Sequence, residues 1–295
     1  MKTIIISGHD GFIGSALTTK LKEFKIIGIS NRNKSTKNTI SLKKNICNIK
    51  DGDITKSFQT LIHLAAISDV KYCNTNPKTC YNVNVIGTNN LLEIARKNDA
   101  DFIFASSSHI YGNPKQLPIK ENDHTEPLSI YSSSKIMAET MCKTYSEVYG
   151  LNISILRLFS VYGPNAAPHN IINSIIHQMK SNSQISLGNT KSKRDFVYID
   201  DVANAFYKVA KSQKKGFHTY NISTNKSTSI KAICKKLIQQ KKSKTLIISD
   251  KKKLRKNDAS EIRGSFLKFK KHHNWIPKME LDDGLKITFD KQNNK

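Results

Sequence analysis

Tyr131 and Lys135 stand four residues apart in Tyr131-Ser132-Ser133-Ser134-Lys135, a spacing that sets both side chains on one face of a helix. A phenol ionises near pH 10 and serves as a base near neutrality only if its pKa falls by about three units, roughly 4 kcal/mol of differential interaction. An ammonium alongside favours the phenolate. A hydroxyl facing the same substrate oxygen stabilises developing alkoxide charge. Ser106-Ser107-Ser108 offers such hydroxyls directly after the apolar run Phe102-Ile103-Phe104-Ala105, at the kind of strand end where open α/β sheets bind ligands. A Tyr-x-x-x-Lys pair alone is commonplace on helix surfaces. With a strand-end serine in the right order, the trio suits proton exchange at a hydroxyl or carbonyl oxygen.

A second signal lies at the N-terminus. Ser7-Gly8-His9-Asp10-Gly11-Phe12-Ile13-Gly14 follows the strand-like Ile4-Ile5-Ile6 and opens a helix with Ile13, Leu17 and Leu21 on one face. Glycines so spaced permit a tight turn, close approach of backbone to a pyrophosphate and tight helix–strand packing. The helix N-terminus then offers N–H groups and the positive end of its dipole to phosphate. The expected ligand is NAD or NADP. A carboxylate ending the second strand favours NAD, whereas a nearby arginine accommodates the 2′-phosphate of NADP. Here that region reads Ser30-Asn31-Arg32, with no acid, and Arg32 leans the reading towards NADP.

The elements that must position these groups alternate between strand-like and helix-like, which argues for βαβ units and a parallel sheet. Strands are expected at Lys2–Ser7, Lys25–Ser30, Thr60–Ala65, Ala100–Ala105, Asn152–Leu158 and Arg194–Ile199. Helices are expected at Gly11–Glu23, Pro77–Asn98, Ser129–Tyr149 and Asn170–Met179. The implied fold is a Rossmann-type doubly wound α/β sheet over residues 1–165, with a smaller, intertwined α/β substrate-binding domain over 166–295. Of 295 residues, 48 are Lys or Arg and 23 Asp or Glu, a formal charge of +25. Nucleic-acid binding is one reading of that excess, but the lysines are spread along the whole chain, which favours a solvated basic surface. No stretch reaches 18 uninterrupted apolar residues, so no membrane span is expected. The five cysteines form no C-x-x-C pair and no metal-ligand grouping. The expected setting is the cytoplasm.

Together these residues resemble the extended short-chain dehydrogenase/reductase superfamily, in its NAD(P)-dependent nucleotide-sugar epimerase/dehydratase branch. The motifs that carry the resemblance are Gly8-x-x-Gly11-x-x-Gly14, His63-Leu64-Ala65-Ala66, Asn84-Val85-Ile86-Gly87-Thr88 and Ser106-Ser107-Ser108-His109-Ile110-Tyr111-Gly112. They continue through Tyr131 with Lys135, Arg157-Leu158-Phe159-Ser160-Val161-Tyr162-Gly163-Pro164 and Arg194-Asp195-Phe196-Val197-Tyr198. The resemblance implies Tyr131 as general base or acid, Lys135 as its pKa-lowering partner and ribose ligand, and Ser107 as the catalytic hydroxyl. It implies cofactor contacts from Gly8, Gly11, Phe12, Ile13, Gly14, Asn31, Arg32, Asn48, Ile49, Leu64, Ala65, Ala66, Asn84, Ala105 and Phe159. Substrate contacts would come from Ser68, Ser107, Ser108, His109, Ser160, Arg194, Arg255 and Asp258, with the two arginines gripping a diphosphate.

Where the family's 4,6-dehydratases carry an Asp-Glu pair after the catalytic hydroxyl, this chain has Ser108-His109, which supplies neither the acid nor the carboxylate that loss of water needs. The leading expectation is therefore a nucleotide-sugar 4-epimerase. An NADPH-dependent reductase of a nucleotide-4-keto-6-deoxysugar is the alternative, and a non-catalytic dinucleotide-sensing or RNA-binding protein on the same fold is a third reading. The resemblance also implies a homodimer through a four-helix bundle built from Pro77–Asn98 and Ser129–Tyr149.

Overall fold

The computed structural model describes residues 2–32, 39–181, 183–242, 244–254 and 258–293. Its first half runs β1 (Thr3–Ser7), α1 (Phe12–Lys20), β2 (Lys25–Ser30), β3 (Thr39–Lys43), β4 (Thr60–His63), α2 (Val70–Thr75), α3 (Pro77–Tyr81), α4 (Gly87–Lys97), β5 (Asp101–Ser107) and α5 (Ile130–Tyr149). The chain continues through β6 (Ile153–Leu158), β7 (Ser160–Tyr162), α6 (Ile171–Ser181), β8 (Gln184–Leu187), β9 (Lys193–Arg194), β10 (Phe196–Tyr198), α7 (Ile199–Lys211) and β11 (Phe217–Ile222). It ends with β12 (Thr228–Ser229), α8 (Ile230–Lys241), β13 (Leu246–Ser249), β14 (Glu261–Ile262), α9 (Leu267–His273) and α10 (Leu281–Asn293).

Among the described residues the main sheet has the order β11-β6-β5-β4-β1-β2-β3, with every neighbouring pair parallel. Helices cover both faces, which is why its strands read as unbroken apolar runs. Successive side chains on a strand point to opposite faces, so Ile4 and Ile6 join the core made with Leu17, Val202 and Phe206. Ile5 joins the core made with Leu91, Leu92 and Cys142. The strand order reverses between β1 and β4, and ligands of such sheets lie above that crevice. A third core gathers Ile172, Ile176, Ile233, Leu237, Leu285 and Phe289 from α6, α8 and α10. This second lobe is not a contiguous piece of chain, because α7 and β11 return to the main layer. Among the described residues no helix is long and apolar enough to cross a membrane.

Two expected elements divide. Pro77–Asn98 is α3, a π-helical turn at Asn82–Ile86, and α4. The extra residue in the turn aims Asn84 at the backbone of Ile67. It also seats Gly87 where a Cβ would come within 2.7 Å of the Ile46 side chain. Arg194–Ile199 splits into β9 and β10 around Asp195. That buried carboxylate takes N–H groups from Thr224 (2.8 Å), Asn225 (3.0 Å) and Gly264 (3.2 Å), and so clamps two loops.

At the far edge of the sheet, α9 buries His273 against Phe269 and Tyr220. Neither of its ring nitrogens has a hydrogen-bond partner. Burial pulls its pKa down to about 4, against about 6.5 in the unfolded chain. The unfolded chain therefore takes up a proton first as pH falls. The contribution of His273 to stability is complete above about pH 6.5 and is lost progressively towards pH 4. We expect His273→Leu to raise the urea midpoint more at pH 5 than at pH 7.5. An equal gain at both pH values would show that His273 is not held neutral by the fold.

Candidate active site

A cleft of about 1500 Å³ runs over the C-terminal ends of the sheet strands, between the main layer and the second lobe. That exceeds the usual span of a single small-molecule pocket and leaves room for a dinucleotide together with a second ligand. Gly8, Gly11, Phe12, Ile13 and Gly14 form one rim. Gly8 has φ +73°, and a Cβ there would lie 2.9 Å from the Ala65 nitrogen, while a Cβ on Gly14 would lie 2.2 Å from the Gly8 carbonyl oxygen. The loop thus packs backbone to backbone and keeps its rim free of side chains. α1 starts on Gly11 with no side-chain cap, so its first-turn N–H groups remain available to phosphate. These features fit a dinucleotide. His9, between the glycines, is buried, and its ring lies where a Cβ on Gly28 would meet it at 2.3 Å.

Past the loop, Asn31, Arg32, Lys44, Asn45 and Ile46 line the same end of the cleft. Asn48 and Ile49, expected there, do not. Asn45 turns the chain after β3, accepting the N–H groups of Cys47 (2.9 Å) and Asn48 (3.0 Å). That turn brings Asn45 and Ile46 to the cleft, sends Asn48 to solvent and puts Ile49 into the core. Leu64, Ala65, Ala66, Ser68, Ala105 and Phe159 do line it. Asn84 lies behind that lining. It is buried, takes the Ile67 N–H (2.8 Å) and donates to the Ile67 carbonyl (3.0 Å) and the Ser134 hydroxyl (3.0 Å).

The proposed catalytic trio converges on the middle of the cleft. β5 ends on Ser107, and α5 begins at once after a Ser129–Ser132 capping box, which sets Tyr131 and Lys135 in its first two turns. All three are buried. Ser107, beside the Tyr131 phenol, pulls its pKa down, but burial wins and the phenol stands at about 12. Lys135 is lowered to about 8, chiefly by burial, with Glu139 opposing the fall. Its Nζ donates to the Ala105 carbonyl (2.8 Å) and lies 4.7 Å from the centre of the Phe104 ring. Lys135 is not among the groups that shift the phenol most, so its expected lowering of the Tyr131 pKa stays part of the proposal. Among the protein's own groups, burial and then Ser107 act most on the phenol.

One turn beyond Lys135, the Glu139 carboxylate takes a short hydrogen bond from Ser106 and pairs with Arg157 (2.7 Å). Arg157 also donates to the Tyr111 hydroxyl (2.9 Å) and the Glu121 carbonyl (2.8 Å). Tyr111 in turn donates to Asn221 (2.7 Å). This buried network ties α5 to β5, β6 and β11 beneath the trio.

A family model for NAD dependent epimerases/dehydratases matches residues 4–223. The chain belongs to that family. A Methanocaldococcus jannaschii protein named "Putative UDP-glucose 4-epimerase" is 34% identical over 99% of both chains. The Thermotoga maritima UDP-glucose 4-epimerase, solved with UDP-glucose, superposes with a TM-score of 0.90 at 25% identity over 99% of both chains. MoeE5, solved with UDP-glucuronic acid and NAD, superposes with a TM-score of 0.92 at 23% identity over 99% of both chains, a likeness of fold.

In this epimerase/dehydratase-family chain the remaining candidates lie along the cleft. Ser108 is buried beside Ser107, and His109 is exposed, edge-on to Tyr131 with ring centres 5.8 Å apart. Ser160, Arg194 and Asp258 line the second-lobe wall. Arg194 is anchored by Asp258 and by the carbonyls of Ala259 (2.9 Å) and Lys193 (2.7 Å). Arg255 lies outside the described residues. Sequence reading missed Gln178, Asn189, Lys252 and Lys253, which also line this wall, because β8 and β13 pair only in three dimensions. It also missed Asp10, whose signal was an acid inside the glycine loop. Gly8→Ala should lose about 1–2 kcal/mol of stability, from the left-handed backbone alone, and bind NAD at least about tenfold more weakly, a loss of roughly 1.4 kcal/mol or more. Urea unfolding and equilibrium NAD titration would check the pair.

Proposed function

We propose that this protein is a nucleotide-sugar 4-epimerase that works with a bound NAD. The observation that carries the reading is the buried Ser107–Tyr131–Lys135 trio, set midway along a cleft whose rim is the side-chain-free glycine loop. The sugar substrates and NAD named for the solved relatives support it. Residues 1–165 hold the cofactor and 166–295 the sugar nucleotide, with α7 and β11 crossing back. The free thiols suit a cytoplasmic enzyme.

The glycine rim and the start of α1 hold the pyrophosphate, and Lys135 holds the nicotinamide ribose while keeping its bond to Ala105. Bound there, oxidised nicotinamide supplies a reversible hydride acceptor at the sugar carbon and a positive ring near the phenol. Tyr131 takes the proton of the sugar 4-hydroxyl and returns it at the end of the cycle. Ser107 donates to the same oxygen and stabilises its developing charge. The second-lobe wall, with Ser160, Arg194 and Asp258, holds the nucleotide diphosphate while the sugar presents either face. Ser108 and His109 leave the site without a carboxylic acid placed for loss of water.

Ile86 and Met137 lie exposed on the π turn and α5. We assign this surface to a homodimer through a bundle of paired helices. Ile86→Glu with Met137→Lys should convert a dimer to a monomer in sedimentation at micromolar concentration, and a monomeric wild type would refute the assignment.

Arg32 alone favours the second reading, a reductase that consumes NADPH. Purified protein given UDP-glucose or UDP-glucuronic acid should form the 4-epimer without net change in the nicotinamide absorbance at 340 nm. Net oxidation of added NADPH by a 4-keto sugar nucleotide would establish the reductase instead. Removing the Ser107 hydroxyl takes away the neighbour that lowers the Tyr131 pKa. Ser107→Ala should therefore cut kcat/KM by about 10²–10³-fold and move the rising limb of its pH profile to higher pH. A loss of rate with an unmoved limb would confine Ser107 to holding the sugar.

A further inference from the structure

The adenosine end of the cleft holds an ion pair that local sequence does not announce. Asp10, in the middle of the glycine loop, has a side chain only 3% exposed, and its carboxylate lies 3.1 Å from Nε of Arg32, two residues past the end of β2. Ser30, which ends β2, accepts the Arg32 N–H (3.0 Å) and so fixes the start of that turn. The neighbouring cation is held in the same way, since Lys44 Nζ lies 2.6 Å from Asp53. Among the described residues, both cations lining this end of the cleft are thus already matched by a carboxylate.

The 2′-phosphate of NADP brings close to two negative charges, and sites that grip it do so with an arginine fork free to donate. An arginine paired with a carboxylate presents almost no net charge. A dianion placed against it also meets the acid, which is shielded little by water because it is covered. A ribose diol carries no charge and meets no such opposition. We propose that Asp10 is a specificity-determining residue that sets the choice of NAD over NADP by neutralising Arg32. The inference rests on the dinucleotide-dependent reading above, and it reverses the lean towards NADP drawn from Arg32 alone.

The test is equilibrium titration of the purified full-length protein with NAD and with NADP, without sugar. Wild type should bind NAD at least about tenfold more tightly than NADP. Asp10→Asn keeps the shape and frees the guanidinium. It should tighten NADP about tenfold while leaving NAD within about threefold. Adding Arg32→Ala should cancel that gain. Arg32→Ala alone leaves the covered acid without its cation and should weaken NADP more than NAD. Several results would overturn the proposal: wild type preferring NADP, Asp10→Asn weakening NADP or shifting both cofactors equally, or Arg32→Ala alone tightening NADP. Failure to bind either cofactor would overturn the dinucleotide reading as well, whereas binding of both with an unchanged ratio would overturn only the role of Asp10.

Discussion

The Glu139–Arg157 pair governs more of this site than any side chain that faces the cleft. Both partners are about nine-tenths buried, where an isolated charge would be untenable. They persist because Ser106 and Tyr111 satisfy much of their remaining hydrogen-bonding capacity. Removing one partner of such a pair typically costs about 3–5 kcal/mol, since the other is left buried and uncompensated. The arrangement therefore fixes the rotation of α5 against β5 and β6. Lys135 lies one turn up the same helix face, and its depth is set by that rotation.

The same burial shapes the acid–base chemistry. Removing Lys135 and Tyr131 from water moves their pKa values towards each other, the amine down to about 8 and the phenol up to about 12. Each shift disfavours the charged form. Glu139 and the Ala105 carbonyl hold the lysine as a cation against that trend, and Ser107 works against the rise on the phenol. The polypeptide's own groups thus leave the phenol above its ordinary pKa. In the proposed mechanism a bound nicotinamide cation would supply the opposing bias, and proton transfer at Tyr131 would then be tied to occupancy by the oxidised cofactor. An ordinary base in the same position would act whether or not the cofactor were ready.

What sequence could show follows from how local each signal is. The glycine rim and the Tyr131–Lys135 spacing were legible because a strand–turn–helix and one helix face contain them entirely. Ser107 was legible as a strand end. The placement of Asn84 was not legible, because a π turn, which hydrophobic periodicity does not reveal, rotates it onto Ile67. Asn48 and Ile49 misled by three residues of turn, since Asn45 folds the chain back and delivers itself and Ile46 instead. The second-lobe wall was barely legible, because β8, β9, β13 and β14 are two to four residues long and are stabilised by partners distant in sequence. Asp195 shows the same limit, as nothing near it foretells two distant loops closing on one carboxylate.

The charge of +25 acquires a more specific meaning against this geometry. Acids are scarce in the chain, yet three of them, Asp10, Asp53 and Asp258, are matched to the cations Arg32, Lys44 and Arg194 that line the cleft. The lysine surface acts over the screening length, about 8 Å at physiological salt, and draws any phosphate ester inward without choosing among them. Choice requires cations whose positions are fixed and whose charge is already answered, so that a phosphate gains only where its geometry improves on the carboxylate it meets. Arg194 is fixed through both arms of its fork, by Asp258 and two backbone carbonyls. Arg32 meets Asp10 through Nε alone and is otherwise exposed. In the proposed reading, one pairing of an arginine with an aspartate would serve to place a cation at one end of the cleft and to offset a cation at the other.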